Sequence, residues 1–309
     1  MKFSVITPCY NAERFVKQSL QSAASQTYPP HEVIVVDDGS SDGSLQAIAD
    51  SGVDVKLLHS KRAGGAGARN IAVAEATGDY LAFLDADDYW LDHHLANAAE
   101  LLSGTSDVGY TALDHYLYED GTMREAKNPW PITEPTAGLT HKQYMGFWTI
   151  KLKYAMNPTV VSRERFLEVG GFDETQWRRH DIEMWLRVIH GKTWAYNPCA
   201  DAVYRADTPG SISREKWASS EYYALQSHIK NQERYRGLGI EKIIADTSSR
   251  VVACALMDPE FKERDEAIRL AWPHLEPRRR LLFRFARLCP PAFAFVNQIR
   301  RNRNKKTAG

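Results

Sequence analysis

Cysteine is scarce in this chain of 309 residues: Cys9, Cys199, Cys254 and Cys289 stand far apart, with neither a CxxC pair nor metal-ligand spacing. Also missing is the run of roughly 18 apolar residues that a membrane-spanning helix requires. The best candidate, Leu281 to Ile299, is interrupted by Arg284, Arg287, Pro290 and Pro291. The first residues form a strand-like run instead of the charged, apolar and small-residue succession of a secretory leader. Together these absences predict a reducing, cytoplasmic compartment and a chain that does not cross a bilayer. There is no internal repeat and no low-complexity segment. Net charge is absent too, since Lys plus Arg and Asp plus Glu both total 39, but the balance hides an asymmetry. All ten charged residues after Pro277 are basic, which leaves the body acidic and points to an anionic partner for the tail.

What is present is ordinary globular composition, 43% hydrophobic and 25% charged, in a chain long enough for a large core. Short β-branched runs at Phe3 to Thr7, Glu32 to Val36, Val53 to Leu58 and Tyr80 to Leu84 alternate with helical patterns at Ala12 to Gln26, Ser41 to Ala49 and Ala66 to Ala76. That alternation predicts an α/β fold of βαβ units on a mostly parallel sheet. Val33 to Val36 is apolar throughout, as a strand covered on both faces should be. From Asp114 to Gly138 the periodicity fades into glycine and prolines, which predicts a long loop beside the active site. A helix follows at His180 to Ile189, short strands at Thr193 to Tyr196 and Ala202 to Arg205, and largely helical sequence from Ser219 to Asp258. The expected organisation is a catalytic region over 1–215, divided at 113/114 into nucleotide and acceptor halves, a helical extension over 216–277 and a basic tail over 278–309.

Five segments carry chemistry. Thr7-Pro8-Cys9-Tyr10-Asn11 ends the first strand, at the sheet edge where open α/β folds bind ligands. Tyr10 suits stacking on a base, and Asn11 is either a helix cap or a ligand contact. Asp37-Asp38-Gly39-Ser40-Ser41 ends the second strand, with Asp38 a candidate acceptor for a base N–H or ribose hydroxyls and Asp37 either the same or an ordering residue of the turn. Lys61 to Asn70 is a basic, glycine-rich loop entering a helix, suited to a diphosphate, yet it matches neither the Walker loop nor GxGxxG. Asp85-Ala86-Asp87-Asp88 follows an apolar strand and crowds three carboxylates, hard oxygen ligands that suit Mg²⁺ or Mn²⁺. Strand alternation would place Asp85 and Asp87 on one side. Further on, a helix starting near His180 places Asp181 at its N-terminal end, either as a plain N-cap or as a general base that dipole and N–H groups keep ionised, with Ile182, Trp185 and Ile189 as the helix's buried stripe.

In this order the segments resemble glycosyltransferase family 2, over roughly residues 2 to 210. The resemblance implies an inverting enzyme of GT-A fold that uses a nucleotide diphosphate sugar, UDP foremost. It implies donor contacts from Thr7, Pro8, Tyr10, Asn11, Asp38, Arg69 and Asp85, with Asp38 facing the base. Asp87, helped by Asp85, stands where the family holds Mn²⁺ or Mg²⁺. Gly170-Gly171-Phe172-Asp173-Glu174 resembles a segment of the acceptor side, and Asp181 stands at the place of the catalytic base. His180 departs from the acidic residue that commonly precedes that base, leaving both Asp181 and Glu183 as candidates for it. The acceptor implied is a glycan or lipid-linked glycan in cell-surface polysaccharide or lipopolysaccharide-type synthesis.

Arg278 to Leu288 interleaves arginines with Leu and Phe, which suits a helix lying on an anionic membrane, and a second basic run follows at Arg300 to Lys306. The protein is therefore expected peripherally at the inner face of the cell membrane. The alternative for the helix is packing on the catalytic domain; nucleic acid is not an expected partner, since no nucleic-acid module is recognisable. An oligomer is compatible with the helical region. Two rival readings are a nucleotidyltransferase of related fold, which would carry a glycine-rich, lysine-bearing loop after the first strand, and a silent sugar-nucleotide-binding adaptor.

Overall fold

The computed structural model describes residues 1–126, 128, 131–143, 158–176, 180–206, 217–234, 236, 237, 239–258 and 260–288. They fall into two compact units, Met1–Ser211 and Ile212–Gly309.

The first unit begins β1 (Phe3–Cys9), α1 (Val16–Ala24), β2 (Glu32–Asp37), α2 (Ser44–Ala49), β3 (Lys56–His59), α3 (Gly64–Ala74) and β4 (Tyr80–Phe83). It continues through β5 (Tyr89–Trp90), α4 (His94–Leu102), β6 (Asp107–Leu117), β7 (Met123–Glu125), β8 (Thr136–Thr140), β9 (Thr159–Ser162), α5 (Arg163–Glu168), α6 (His180–Ile189) and β10 (Thr193–Arg205). The strands form one sheet in the order β3-β2-β1-β4-β9-β6-β10-β5, with β7 on β6 and β8 on β10. β3, β2, β1 and β4 are parallel neighbours, as the βαβ pattern predicts. β9 enters antiparallel between β4 and β6, and β10 then runs parallel to β6.

Both faces of the sheet are covered, which explains why β2 is apolar at every central position. Ile34 and Val36 join a core with Ala72, Phe83, Phe166, Phe172 and Trp185, whereas Val33 and Val35 join the opposite core with Val16, Leu20, Leu95 and Tyr110. Period-two alternation splits the strand between two cores, and the helices supply apolar residues at helical spacing: α1 buries Val16, Leu20 and Ala23. α5 is started by Ser162, whose side chain accepts the Arg165 N–H at 3.3 Å.

Three expectations need correction. The segment from Asp114 to Gly138 is not one loop: β6 runs on to Leu117, turns at Asp120 and Gly121, and returns as β7 before β8 begins. The turn is held by the Tyr118 carbonyl, which accepts the Gly121 N–H, and by the Asp120 carboxylate, which accepts the Thr122 N–H. The two short strands near 193 and 202 are one strand, because β10 absorbs Pro198 in register shifts between Tyr196 and Ala202. The first helix is shorter than Ala12 to Gln26, since 12–15 form its entry turn.

The second unit contains α7 (Trp217–Lys230), α8 (Ile240–Met257), α9 (Arg264–Ala271), a 3₁₀ turn at Trp272–His274 and α10 (Pro277–Leu288). α8 buries Ile240, Ile243, Ile244, Thr247, Val251 and Val252 along one side. No described helix is long and apolar enough to cross a membrane. The basic run from Arg300 to Lys306 lies outside the described residues.

Candidate active site

The carboxyl ends of β1, β2 and β3 carry three loops knitted by side chains. Asn11 stands at φ +49°, a left-handed conformation that Asn tolerates, and its Oδ1 accepts the Ser41 N–H at 2.8 Å. Its own N–H donates to Ser40 Oγ at 3.0 Å. Asn11 thus joins two loops and does not cap α1, which starts at Val16. Asp37 accepts the Ser40 N–H and orders its turn. Asp38 is buried and accepts the N–H groups of Ala63 at 2.7 Å and Gly64 at 2.8 Å, together with the Ser60 hydroxyl. Gly64 adopts φ +72°, which a side chain would oppose, so the glycine-rich entry to α3 is anchored on Asp38.

Tyr10 is 48% exposed at the mouth of these loops, with the Arg62 guanidinium 5.8 Å from its ring centroid. Arg62 itself stands at φ +58°, strained backbone of the kind that clusters at binding sites. Thr7 is fully buried, and its Oγ1 has no hydrogen-bond partner among the described residues.

β4 ends at Phe83, so Asp85, Asp87 and Asp88 lie on a turn rather than a strand, closed by the Asp88 N–H donating to the Asp85 carbonyl at 3.0 Å. The turn, not strand alternation, gathers the three carboxylates, each with an oxygen within 4.8 Å of the others. Asp88, absent from the expected site residues, is buried and accepts the Arg205 N–H at 2.8 Å. Burial and the neighbouring Asp85 push Asp87 up to about 6, and burial followed by Asp87 and Asp85 pushes Asp88 well above the ordinary carboxylate range. Asp114, at 5% exposure on β6, is raised to about 8 by burial, then by Asp85 and Asp201, and its Oδ1 has no hydrogen-bond partner among the described residues. Converging carboxylates are a donor set that fits a hard divalent cation. Of the expected site residues, Asp87 is half-buried in this turn.

Arg69 links this turn to the opposite wall. It is 6% exposed, ion-paired to Asp85 Oδ1, donates to the Gly65 carbonyl at 3.0 Å, and meets His180 Nε2 at 3.1 Å. One residue on, Asn70 accepts the Phe172 N–H and donates to the Phe172 carbonyl, both at 3.0 Å, and reaches Glu174 at 2.8 Å. Gly171, at φ +68°, leaves room for this approach: a Cβ there would stand 2.9 Å from Asn70 Oδ1. The Gly170-to-Glu174 segment is thereby fastened to α3.

α6 presents Asp181, half-exposed, at its first turn. Glu183 is 3% exposed and pairs with Arg187 through both oxygens, each at 2.6 Å. Arg187 also donates to the carbonyls of Val169 and Gly171 at 2.5 and 2.6 Å. Trp185 and Ile189 are buried as expected, but so are Met184, Leu186 and Val188, so the helix is enclosed well beyond one stripe. The Ile182 side chain and residues 177–179 lie outside the description.

The family model for glycosyl transferase family 2 matches residues 4–168. The chain belongs to that family. Its members similar to this chain include an uncharacterized glycosyltransferase of Nostoc sp., 40% identical over 58% of this chain and 56% of that one. The chain thus spans about half of the Nostoc relative's length. The Escherichia coli protein WfaP, a UDP-Glc:alpha-D-GlcNAc-diphosphoundecaprenol beta-1,3-glucosyltransferase, is 35% identical over 69% of this chain and 80% of its own. The crystal structure of Staphylococcus aureus TarS 1-349 in complex with UDP superposes with a TM-score of 0.67 at 20% identity, covering 93% of this chain and 87% of that one. The likeness shows the GT-A fold, and family membership makes the chain a glycosyltransferase.

Proposed function

We propose that this glycosyltransferase moves a sugar from a nucleoside diphosphate donor, UDP foremost, to a hydroxyl of a glycan or lipid-linked glycan acceptor, with inversion at the anomeric carbon. The carrying observation is the Arg69 bridge: one side chain ties the carboxylate turn at Asp85 to His180, the residue beside Asp181, which supports reading the donor, cation and base groups as parts of one site. WfaP's use of UDP-Glc and a diphosphoundecaprenol-linked acceptor supports the donor and acceptor classes.

The nucleotide would lie over Thr7, Pro8, Tyr10 and Asn11, with Tyr10 as stacking surface and Asp38 holding the loop that faces the base. Asp85 and Asp87, joined by Asp88, would hold the cation. When bound there, Mg²⁺ or Mn²⁺ supplies the positive charge that a departing diphosphate needs. Arg69 adds fixed charge on the same side. Asp181 would take the proton of the acceptor hydroxyl as its oxygen attacks the anomeric carbon from the face opposite the leaving group. The bond from that carbon to the phosphate oxygen breaks, and the diphosphate leaves with the pair. Glu183 is a poor base, because Arg187 holds both of its oxygens inside the fold.

We place the protein in the cytoplasm, held peripherally at the membrane through α10 and the basic tail, in keeping with a lipid-linked acceptor in cell-surface polysaccharide synthesis. The test is thermal unfolding with UDP, GDP, CDP and dTDP, each with and without Mn²⁺, for wild type and Asp87→Ala, followed by assay of diphosphate release with candidate acceptors. Metal-dependent stabilisation by one nucleotide, lost in the variant, supports the reading. Nucleotide binding without turnover on any acceptor turns it toward an adaptor, and no stabilisation by any nucleotide overturns the donor site.

A further inference from the structure

The surroundings of His180 decide which of its nitrogens bears the proton. Arg69 can only donate, so its contact with His180 Nε2 at 3.1 Å makes Nε2 the acceptor. The proton of the neutral ring is therefore on Nδ1. Nδ1 is buried and has no hydrogen-bond partner among the described residues. Phe172 meets the ring edge-on, with centroids 5.5 Å apart and planes at 88°, and offers no acceptor oxygen. The edge carrying both nitrogens turns toward the glycine-rich loop: a Cβ on Gly65 would stand 3.8 Å from His180 Cε1. A buried N–H without an acceptor costs free energy unless something supplies one.

We propose that His180 donates its Nδ1–H to a hydroxyl oxygen of the donor's sugar, making it a sugar-recognising residue with Arg69 as its positioning partner. The inference rests on the donor site described above. A hydroxyl fits better than a phosphate oxygen, because Arg69 already carries the fixed charge beside the ring. Burial, then that same guanidinium, lowers the imidazole to about 3, so the ring stays neutral and suits a neutral acceptor.

Two substitutions separate the ring's two roles. His180→Asn places an amide N–H near the Nδ1 position and gives up the acceptor for Arg69. His180→Gln places an amide oxygen near Nε2, keeping Arg69 bound, and gives up the Nδ1 donor. Affinities for UDP, UDP-glucose, UDP-galactose and UDP-GlcNAc are measured by calorimetry with Mn²⁺ for wild type and both variants, beside their melting temperatures. The expected result is unchanged UDP affinity in His180→Gln with roughly tenfold weaker binding of the preferred UDP-sugar, the effect of one lost hydrogen bond in a closed site. His180→Asn should keep the sugar preference better than His180→Gln. The proposal is overturned if His180→Gln keeps the full preference, if wild type binds no UDP-sugar differently from UDP, or if both variants lose UDP and UDP-sugar binding equally with lowered melting temperatures. Failure of wild type to bind any nucleotide would instead remove the donor site, and this inference with it.

Discussion

Glu183 and Arg187 form a two-point ion pair within α6, with both contacts at 2.6 Å and both residues under 10% exposed. Arg187 spends its remaining donors on the carbonyls of Val169 and Gly171, so the pair is a fastening between helix and loop. Asp181, two residues earlier, is left at the helix entrance. The two acids should therefore fail differently. Asp181→Asn should lower kcat by about 10²-fold or more with little change in melting temperature, the signature of a lost general base. Glu183→Gln leaves a buried guanidinium without its partner and should destabilise by about 3–5 kcal/mol. Kinetics and thermal unfolding of both variants check the assignment; a Glu183→Gln enzyme that is stable and inactive would move the base to Glu183.

The family resemblance names Arg69 as a donor contact, but only the fold shows that it reaches both Asp85 and His180. A lysine is a single point charge and cannot hold a carboxylate and a ring nitrogen in one planar fork. Arg69→Lys should therefore weaken UDP-sugar binding by roughly tenfold, a loss of about 1.4 kcal/mol, without restoring the His180 contact. Calorimetry of Arg69→Lys beside Arg69→Ala tests this; full affinity in the lysine variant would show that charge alone suffices.

What could be read from the sequence is what is local. β1, β2 and β4 announce themselves by apolar runs that end in Asn, Asp and Gly, and the acids at Asp85 and Asp87 follow their strand directly. A turn, and not strand alternation, gathers those acids, because the chain leaves the sheet at Phe83 before reaching them. β10 read as two strands because Pro198 interrupts it, and only pairing with β6 shows that a bulge carries the ladder through. Contacts across long separations left no local trace. Arg69 with His180, Asn70 with Phe172, and Asp114 beside Asp85 and Asp201 are joined by the order of strands in the sheet. Asp114 in particular looked like the start of a loop, whereas it is a buried position of β6.

That burial makes stability depend on pH. The folded chain holds the Asp114 proton more tightly than the unfolded chain, its carboxyl being raised from 3.8 to about 8. A group raised in this way favours folding below its unfolded value and loses that contribution as pH rises through its folded value. Asp87 acts with the same sign and is lost through about 6. In EDTA, the wild-type melting temperature should fall between pH 5 and pH 8. Asp114→Asn should flatten the upper part, between pH 6 and pH 8, by on the order of a few degrees. Saturating Mn²⁺ should offset the share due to Asp87. Identical slopes for wild type and Asp114→Asn would mean that Asp114 is ionised in the folded protein.

α10 has two apolar sides with different roles. Phe283 is 2% exposed, while Leu281 and Leu282 are 70% and 39% exposed. Arg278, Arg279 and Arg284 are exposed on the same helix, and Arg280 is turned back to the Pro273 carbonyl at 2.7 Å. Packing within the second unit and binding a membrane are thus compatible, since different residues serve each. Leu281 and Leu282 would enter the acyl boundary while the exposed arginines meet anionic headgroups, with electrostatic attraction that salt weakens. The double variant Leu281→Glu, Leu282→Glu should lose sedimentation with phosphatidylglycerol vesicles while its stabilisation by UDP and Mn²⁺ is unchanged. Phe283→Glu should instead lower the melting temperature, because it places a charge in the packed side. Deleting the residues after Pro277 should release the protein from vesicles as well. If the double variant sediments like wild type and the deletion does not, the basic run beyond Leu288 holds the membrane alone; if the deletion also sediments, the membrane contact lies elsewhere.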